Sequence, residues 1–232
     1  TPAFFNILPL QSDQVDSFYN PIKESMIKIF SQESVYPTIT DGYKRKIEVI
    51  STNEQIRKLF PITDMRTLMA EQEIFFLLNP QTRGYTFISE NKVTRIDGQT
   101  ILMFLSHLQT EQINRLFSGR SAEWYKAVYS LLFEPATKND VTKLKNCKII
   151  LSKNGEMVDS HQARFLEDPS LLLDQQYKEV SHEVYGGSTD KNKDKSRQFL
   201  ELIGVKDFTK NDSIAISKER YRDNLQKALD EL

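Results

Sequence analysis

One short pattern occurs twice in this chain and limits the folds open to it: an apolar stretch, a tight turn with glycine, and a polar exit. It spans residues 35–42, where Asp41-Gly42 closes the turn, and residues 148–156, where Asn154-Gly155 does so. Both dipeptides favour tight turns because their residues tolerate positive φ. The pattern predicts two strands that each run into a hairpin-like turn among helices, as in a modular scaffold.

Composition is that of an ordinary globular protein. The 232 residues suffice for one large domain or two small ones, and 39% are hydrophobic and 27% charged. The net charge of -1 and the pI near 6.3 exclude a global attraction to nucleic acid or anionic lipid. The longest apolar runs, residues 74–78 and 101–105, fall far short of the roughly 20 residues that span a membrane. We expect a cytoplasmic protein without a membrane segment.

The single cysteine and the N-terminus add two expectations. Cys147 excludes an internal disulfide, fits a reducing compartment, and precedes the apolar residues 149–151. We therefore expect a buried structural thiol and not a nucleophile. Residues 1–5 lack the basic stretch of a signal peptide and an initiator Met, so we interpret the chain as a piece of a longer protein.

Helical and strand periodicities predict an α+β fold, with helices packed around small mixed or antiparallel sheets and hairpins. Residues 186–197 are polar and charged and open with a glycine pair, which predicts a mobile loop or linker. The expected division is an α+β scaffold region at 1–185 and a C-terminal helical segment at 198–232. We expect that segment to pack on the main body, because about 45 residues alone make a marginal domain.

Individual elements follow from local signals. Residues 46–50 alternate in polarity and predict the return strand of the first hairpin. A helix is expected from about 122 to 133, and another at the C-terminus, where Tyr221, Leu225, Ala228, Leu229 and Leu232 share one face. Four residues are predicted helix caps: Asn53, Asp97, Thr110 and Ser121.

The chemical motifs of common enzymes are missing from the sequence. Neither Gly-x-x-x-x-Gly-Lys nor Gly-x-Gly-x-x-Gly occurs, which argues against nucleotide binding by this chain. His107, His161 and His182 are isolated and no Cys-x-x-Cys exists, so a zinc site is not expected. Asp159 near His161 is weak support for a ligand pair, and Ser160-His161 is only a pair of sequence neighbours. We predict no catalytic residue, no cofactor and no metal ligand.

Charged and aromatic groups leave alternatives open. Basic clusters at 44–46, 143–148, 191–197 and 218–222, with Tyr43 and Tyr221 nearby, would suit nucleic acid, but the pI favours ordinary solvated side chains. Trp124-Tyr125 is more simply core than a partner surface. A hydrolase without a recognisable motif also stays open, built from scattered carboxylates such as Glu71, Glu73, Asp97, Glu156 and Asp159.

An ordered series of short segments carries a family resemblance: residues 7–10, 18–19, 36–38 with 41–42, 59–60, 121–125 with 129, 144–145, 149–151 with 154–156, and 199–205. In this order they resemble the repeat regions of sacsin-like proteins, which carry a heat-shock-protein-90-type ATPase domain upstream. The resemblance implies a scaffold linked to a chaperone-like ATPase. That domain's signatures, Asp-x-Gly-x-Gly and Gly-x-x-Gly-x-Gly, are absent from this sequence, so the resemblance carries no catalytic residue to any position.

The expected function is therefore a non-catalytic scaffold or protein-interaction region of a larger chaperone-like, ATPase-containing protein. Its partners would be a protein client or neighbouring domains of the same chain, with ATP bound only by an upstream domain. The alternative is a nucleic-acid-binding module of a large ATPase-containing system, such as a defence system, although nucleic acid is the less favoured partner.

Overall fold

The computed structural model describes residues 36–39, 42–69, 76–78, 93–166, 176–185 and 194–230, together with residues 32, 34 and 171. These residues form eight α-helices and ten short strands in four small sheets. The α+β prediction is thereby confirmed. The chain divides into two compact units, Thr1–Ile101 and Leu102–Leu232.

The first unit contains a hairpin and a parallel sheet. Its described residues form the strands β1 (Tyr36–Pro37), β2 (Tyr43–Lys44), β3 (Val49–Thr52), β4 (Phe76–Leu77) and β5 (Thr94–Ile96). β1 and β2 pair antiparallel, and β3 lies between β4 and β5, parallel to both. Helices α1 (Glu54–Leu59) and α2 (Ile62–Leu68) follow β3, and α3 (Gly98–His107) begins in this unit and ends in the next.

The second unit opens with helices α4 (Thr110–Phe117), α5 (Ala122–Ala136) and α6 (Thr142–Lys145). Strands β6 (Ile150–Leu151) and β7 (Met157–Val158) form an antiparallel hairpin. β8 (Ala163–Phe165) then lies between β9 (Lys178–Glu179) and β10 (Lys206–Asp207), parallel to both. Helix α7 (Lys195–Leu202) precedes β10, and α8 (Lys210–Asp230) follows it.

The two units share one strand arrangement in the same register. Each central strand has equivalent partners on its two sides: Ile50 with Leu77 and Thr94, and Arg164 with Glu179 and Lys206. One bridge attaches each hairpin to its sheet, between Thr38 and Leu78 and between Ser152 and Val180. The repeated sequence pattern therefore belongs to a longer structural repeat. We call β1–β5 with α3 the first module and β6–β10 with α8 the second module.

The hairpin prediction is confirmed in both modules, but the predicted return strand at 46–50 is wrong. The return strand is β2, and residues 46–48 form a 3-10 helix before the parallel strand β3. A hydrogen-bonded ion pair closes that turn, because Arg45 Nε lies 3.0 Å from Glu48 Oε2. The backbone N–H of Arg45 donates to the same oxygen over 3.0 Å, so three residues leave the extended conformation.

Helix α5 packs against α7 in the core of the second unit. The buried Tyr129 of α5 stacks on Phe199 of α7, with ring centroids 5.5 Å apart, and its hydroxyl donates to the Ile149 carbonyl over 2.6 Å. Tyr125 is buried as well, and its hydroxyl donates to the carbonyl of Phe117. The prediction that Tyr125 belongs to the core is confirmed, whereas Trp124 is partly exposed.

Most helix caps lie where the sequence predicted them. The side chains of Asn53, Asp97 and Ser121 accept hydrogen bonds from the backbone N–H groups three residues later. Thr110 is instead the first residue of α4, because Gln109 before it forms a capping box with Gln112.

Among the residues that the structure describes, no helix is both long and apolar enough to cross a membrane.

Several predictions fall outside the described residues, including those on residues 7–30, on Glu71 and Glu73, and on residues 186–193. Of the linker predicted at 186–197, the remaining four residues form the cap and first turn of α7. Asp194 Oδ1 accepts the backbone N–H groups of Ser196 and Arg197 over 2.9 and 3.2 Å. The C-terminal helix of the sequence analysis is α8, and its position 221 is exposed.

Candidate functional site

A connected cluster of polar side chains lies in the second module and is centred on Glu179 of β9. The Glu179 side chain is only 12% exposed and accepts hydrogen bonds from Lys153 Nζ over 2.9 Å and from His182 Nε2 over 3.1 Å. Lys153 follows strand β6, and His182 opens a 3-10 helix, His182–Val184. One carboxylate thus ties the hairpin to the sheet and to the segment after β9.

Tyr185 connects this cluster to a buried arginine. Its hydroxyl lies 3.3 Å from Nδ1 of His182, and its ring lies edge-on to that of Phe165 with centroids 4.9 Å apart. The Arg197 guanidinium lies 4.2 Å from the Phe165 ring centroid and 5.6 Å from that of Tyr185. Such positions over aromatic faces stabilise a cation in a site with little water.

Two carboxylates complete the surroundings of Arg197, whose side chain is 5% exposed. Nε donates to Glu201 Oε1 over 2.9 Å, and Nη2 donates to Asp207 Oδ1 over 2.7 Å. A guanidinium suits this role because its planar fork presents several donors at once. We define the polar network as Lys153, Glu179, His182, Tyr185 and Arg197 with its two carboxylates. It includes side chains of β9 and β10, and its Tyr185 and Arg197 pack on Phe165 of the central strand β8.

The side chains of Tyr185, His182 and Glu179 follow one another in the order phenol, imidazole, carboxylate, as in a proton relay. With Nε2 protonated, the His182 ring donates to Glu179, and Nδ1 accepts from the Tyr185 hydroxyl. A triad would need a reactive hydroxyl open to substrate. Tyr185 is a phenol that is buried against Phe165, and the same Glu179 also binds Lys153. The geometry favours a clamp that stabilises the module over a nucleophile.

The first module carries different side chains at the equivalent positions. Ile39 stands where Lys153 stands and Leu77 where Glu179 stands, because Ile39 N donates to Leu77 O over 3.1 Å and Lys153 N donates to Glu179 O over 2.8 Å. Ile39 is 45% exposed, and nearby Ile47 is 84% exposed. The same backbone frame thus presents an ion pair in one module and apolar groups in the other.

The remaining histidines and their neighbours serve local structure. His161 Nε2 lies 3.1 Å from Asn146 Oδ1, and His107 Nδ1 lies 2.8 Å from the Met103 carbonyl in its own helix. Asp159 Oδ1 accepts the backbone N–H of His161 over 2.9 Å, which is a turn contact. Ser160 donates to the Lys145 carbonyl over 3.1 Å, so the structure does not bring Ser160, His161 and Asp159 together as a triad.

Cys147 is buried, as the sequence predicts. Its Sγ lies 3.3 Å from the Lys143 carbonyl, and burial raises the pKa of the thiol. A raised pKa lowers the thiolate fraction at neutral pH, and the thiolate is the reactive form. Cys147 is therefore a structural residue of the region that leads into the second hairpin.

The scattered charges resolve into caps, ion pairs and exposed surface. Asp97 caps α3, and Glu156 pairs with Lys178 over 3.1 Å. In the basic cluster 143–148, Lys143 Nζ donates to the Ser106 carbonyl over 2.9 Å. The cluster at 218–222 lies on the exposed surface of α8. Within the described ranges, no group of three or more His, Cys, Asp or Glu side chains is placed to hold a metal ion.

The buried role of Arg197 was not predicted, because sequence reasoning assigned residue 197 to a basic, polar linker. A signal was present: Asp194 stands three positions before the N–H of Arg197, and an apolar run begins at Phe199. A capping residue before an apolar run marks a helix start.

No family model, no curated protein and no solved structure matches this chain. The resemblance to sacsin-like repeats therefore stays a prediction.

Proposed function

We propose that the chain is a non-catalytic, protein-binding scaffold built from two copies of one module, within a larger chaperone-like, ATPase-containing protein. The observation that carries this proposal is the repeat itself: two sheets with the same strand order, register and hairpin bridge. Repeated modules are typical of scaffolds, because stacked copies extend a surface on which partners bind. ATP and hydrolysis belong to an upstream domain in this proposal, and the reducing cytoplasm suits the lone buried cysteine.

The uses of the charged groups support a scaffold role. Charged side chains of the second module, such as Arg197 and Glu179, hold its strands and helices in place. The first module leaves apolar side chains in solvent beside its hairpin and sheet, and Ile47 is the most exposed large hydrophobic residue described. Exposed apolar groups beside a rigid frame are suited to contacts with other proteins.

The test of this proposal measures client holding and hydrolysis on the purified 232-residue protein. We expect the protein to suppress light scattering by a chemically denatured model protein, and Ile47→Asp to weaken that suppression at least about twofold, because a charge replaces an exposed apolar contact. The matched control is Thr63→Asp, which adds the same charge at an exposed position of α2. An unaffected Ile47→Asp variant, or saturable ATP hydrolysis by the protein, would overturn the proposal.

One observation favours the second candidate, a nucleic-acid-binding module of a large ATPase-containing system. On the exposed surface of α8, Tyr221 stands between Lys218 and Arg222, an aromatic ring between two cations. Such a surface can stack a base and contact phosphates. This candidate predicts retention on single-stranded DNA at low salt that falls steeply as salt rises. Absence of retention at low ionic strength removes it.

A further inference from the structure

Helices α3 and α8 begin at the same position of the two modules. Counted from the fifth strand of each module, which starts at Thr94 or Lys206, both helices begin four residues on, at Gly98 and Lys210. The preceding residue is a cap in both cases. Asp97 accepts the Thr100 N–H over 3.0 Å, and Thr209 Oγ1 accepts the Asp212 N–H over 3.3 Å.

The two helices differ in where they end. After α3 the chain turns at Leu108-Gln109, and α4 begins at Thr110. The Gln109 N–H donates to Gln112 Oε1 over 2.9 Å and holds that turn. The position in α8 that matches Gln109 is Tyr221, yet α8 runs on without a break to Asp230. One continuous helix in the second module thus replaces two helices of the chain after β5.

The later part of α8 repeats the apolar pattern of α4. Counted in step, the buried residues of α4 match apolar residues of α8: Ile113 with Leu225, Leu116 with Ala228, and Phe117 with Leu229. Burial differs at the first of these positions, since Ile113 is fully buried and Leu225 is 47% exposed. Tyr221, one turn earlier, is 68% exposed. The second module therefore presents Tyr221 and Leu225 in solvent, where the matching stretch of the chain after α3 includes the buried Ile113.

The partner of α4 shows what such a pattern packs against. Phe117 at the end of α4 contacts the first turn of α5: its ring is edge-on to Trp124 with centroids 5.3 Å apart. The Tyr125 hydroxyl of the same turn donates to the Phe117 carbonyl. Helix α5 is the helix that follows α4 in the chain, and it leads through α6 into the hairpin of the next module.

We propose that residues 221–230 of α8 are the counterpart of α4, and that their apolar face docks on an aromatic, α5-type helix of a further module. The contact between Phe117 and the Trp124-Tyr125 pair supplies the chemistry: an aliphatic and aromatic helix face against two aromatic rings. This inference rests on the proposed scaffold function and deepens it by naming the partner of one surface.

Thiol reactivity tests the docking, because the native cysteine is buried. Leu225→Cys places a thiol on the proposed face, and Asp223→Cys is the matched control on another side of the same exposed helix. Both are made in the 232-residue chain and in an extended chain in which residues 118–232 follow Leu229, as Ser118 follows Phe117. The added copy of Cys147 reports whether the added module is folded, since it stays unreactive only when buried.

We expect maleimide to label the Leu225→Cys thiol at least about tenfold more slowly in the extended chain than in the 232-residue chain, because a docked face opens rarely. The Asp223→Cys rate should be the same in both. Equal Leu225→Cys rates in the two chains overturn the inference. Protection that appears in the 232-residue chain and grows with protein concentration also overturns it, since a second copy would then cover the face. ATP hydrolysis by the chain would overturn the proposed function alone.

Discussion

The guanidinium of Arg197 donates to the Asp207 carboxylate over 2.7 Å and so connects helix α7 to the edge strand β10. Asp207 pairs with Phe165 in the neighbouring strand, and the Phe165 ring lies under the same guanidinium. A single side chain thus bridges a helix, an edge strand and the centre of the sheet. Its carboxylate partners are half-exposed, whereas the arginine itself is buried.

Replacement of this arginine should be among the costliest changes in the second module. We expect Arg197→Ala to lower the free energy of unfolding by about 2–3 kcal/mol. This loss is smaller than the cost of breaking a fully buried ion pair, because the half-exposed carboxylates of Glu201 and Asp207 remain hydrated. Arg197→Lys should recover little, since an ammonium cannot fork between Glu201 and Asp207. Urea unfolding followed by circular dichroism measures both.

Lys195→Ala is the control for that experiment, because Lys195 lies in the same turn of α7 and is exposed. Its effect should stay within about 0.5 kcal/mol, as for other surface substitutions. If Arg197→Ala were as mild as Lys195→Ala, the bridging role of the guanidinium would be wrong.

A glycine at the end of α7 makes a second prediction. Gly204 has a φ of 103° and donates its N–H to the Glu201 carbonyl, and a Cβ there would lie 3.3 Å from Ser160 Oγ. Gly204→Ala should destabilise the protein by about 1–3 kcal/mol, because both backbone strain and a close contact oppose it. Gly119→Ala is the matched control, since its φ of 71° adds strain without any contact within 4 Å. The difference between their thermal midpoints measures the close contact with Ser160 together with the less favourable φ at Gly204, and equal midpoints would contradict both.

Tyr129 should make stability depend on alkaline pH. Burial, and to a lesser extent the neighbouring Tyr125, raises the pKa of Tyr129 well above its ordinary value of 10.0. A phenol with a raised folded-state pKa contributes its full stability below the unfolded-state pKa. That contribution is lost above about pH 10, at up to about 1.4 kcal/mol per pH unit.

Tyr129→Phe should lessen this alkaline slope, and the raised pKa values of Tyr125 and Cys147 should account for part of the slope that remains. The same change should cost about 1–2 kcal/mol at neutral pH, because the buried Ile149 carbonyl loses its donor. The measurement is the urea midpoint of both proteins at about pH 8 and about pH 11. An alkaline slope in Tyr129→Phe as steep as that of the unaltered protein would assign the loss to other groups.

Cys147 should be silent toward thiol reagents in the folded protein. Its sulfur is buried beside the Lys143 carbonyl, and its pKa is raised by burial. We expect Ellman's reagent to titrate less than about a tenth of a thiol per chain in buffer and one thiol per chain in denaturant. Rapid reaction in buffer would contradict the buried position and remove the basis for its use as a folding report.

Local chemistry made part of this fold predictable. The Asp-Gly and Asn-Gly turns located both hairpins, and Asn53, Asp97 and Ser121 located three helix starts, since these signals act within a few residues. The parallel pairing of β3 with β4, and of β8 with β9, was not predicted. The partner strands lie far along the chain, and strands of two or three residues are too short to show a period in the sequence.

The polar network shows the limit of composition as a guide. Arg197 was predicted as solvated linker because Lys, Asp and Asn surround it, yet its environment comes from Phe165 and Tyr185. The role of Glu179 has no local sequence signal either, since its partner Lys153 lies in the turn of the hairpin after β6. The burial of Cys147 was predictable because it lies beside the apolar strand residues 149–151. The burial of Tyr125 was predictable because it lies within an apolar helical pattern.

A chain with two sheets of the same register must avoid strand exchange between its copies while it folds, a common failure of repetitive proteins. Backbone hydrogen bonds alone would let the hairpin of one module pair with the sheet of the other. An exchanged pairing would set Ile39 beside Glu179 and Lys153 beside Leu77, so the 2.9 Å ion pair would be lost. The ion pair between Lys153 and Glu179 thus forms only when each hairpin pairs with the sheet of its own module, and it disfavours the domain-swapped form.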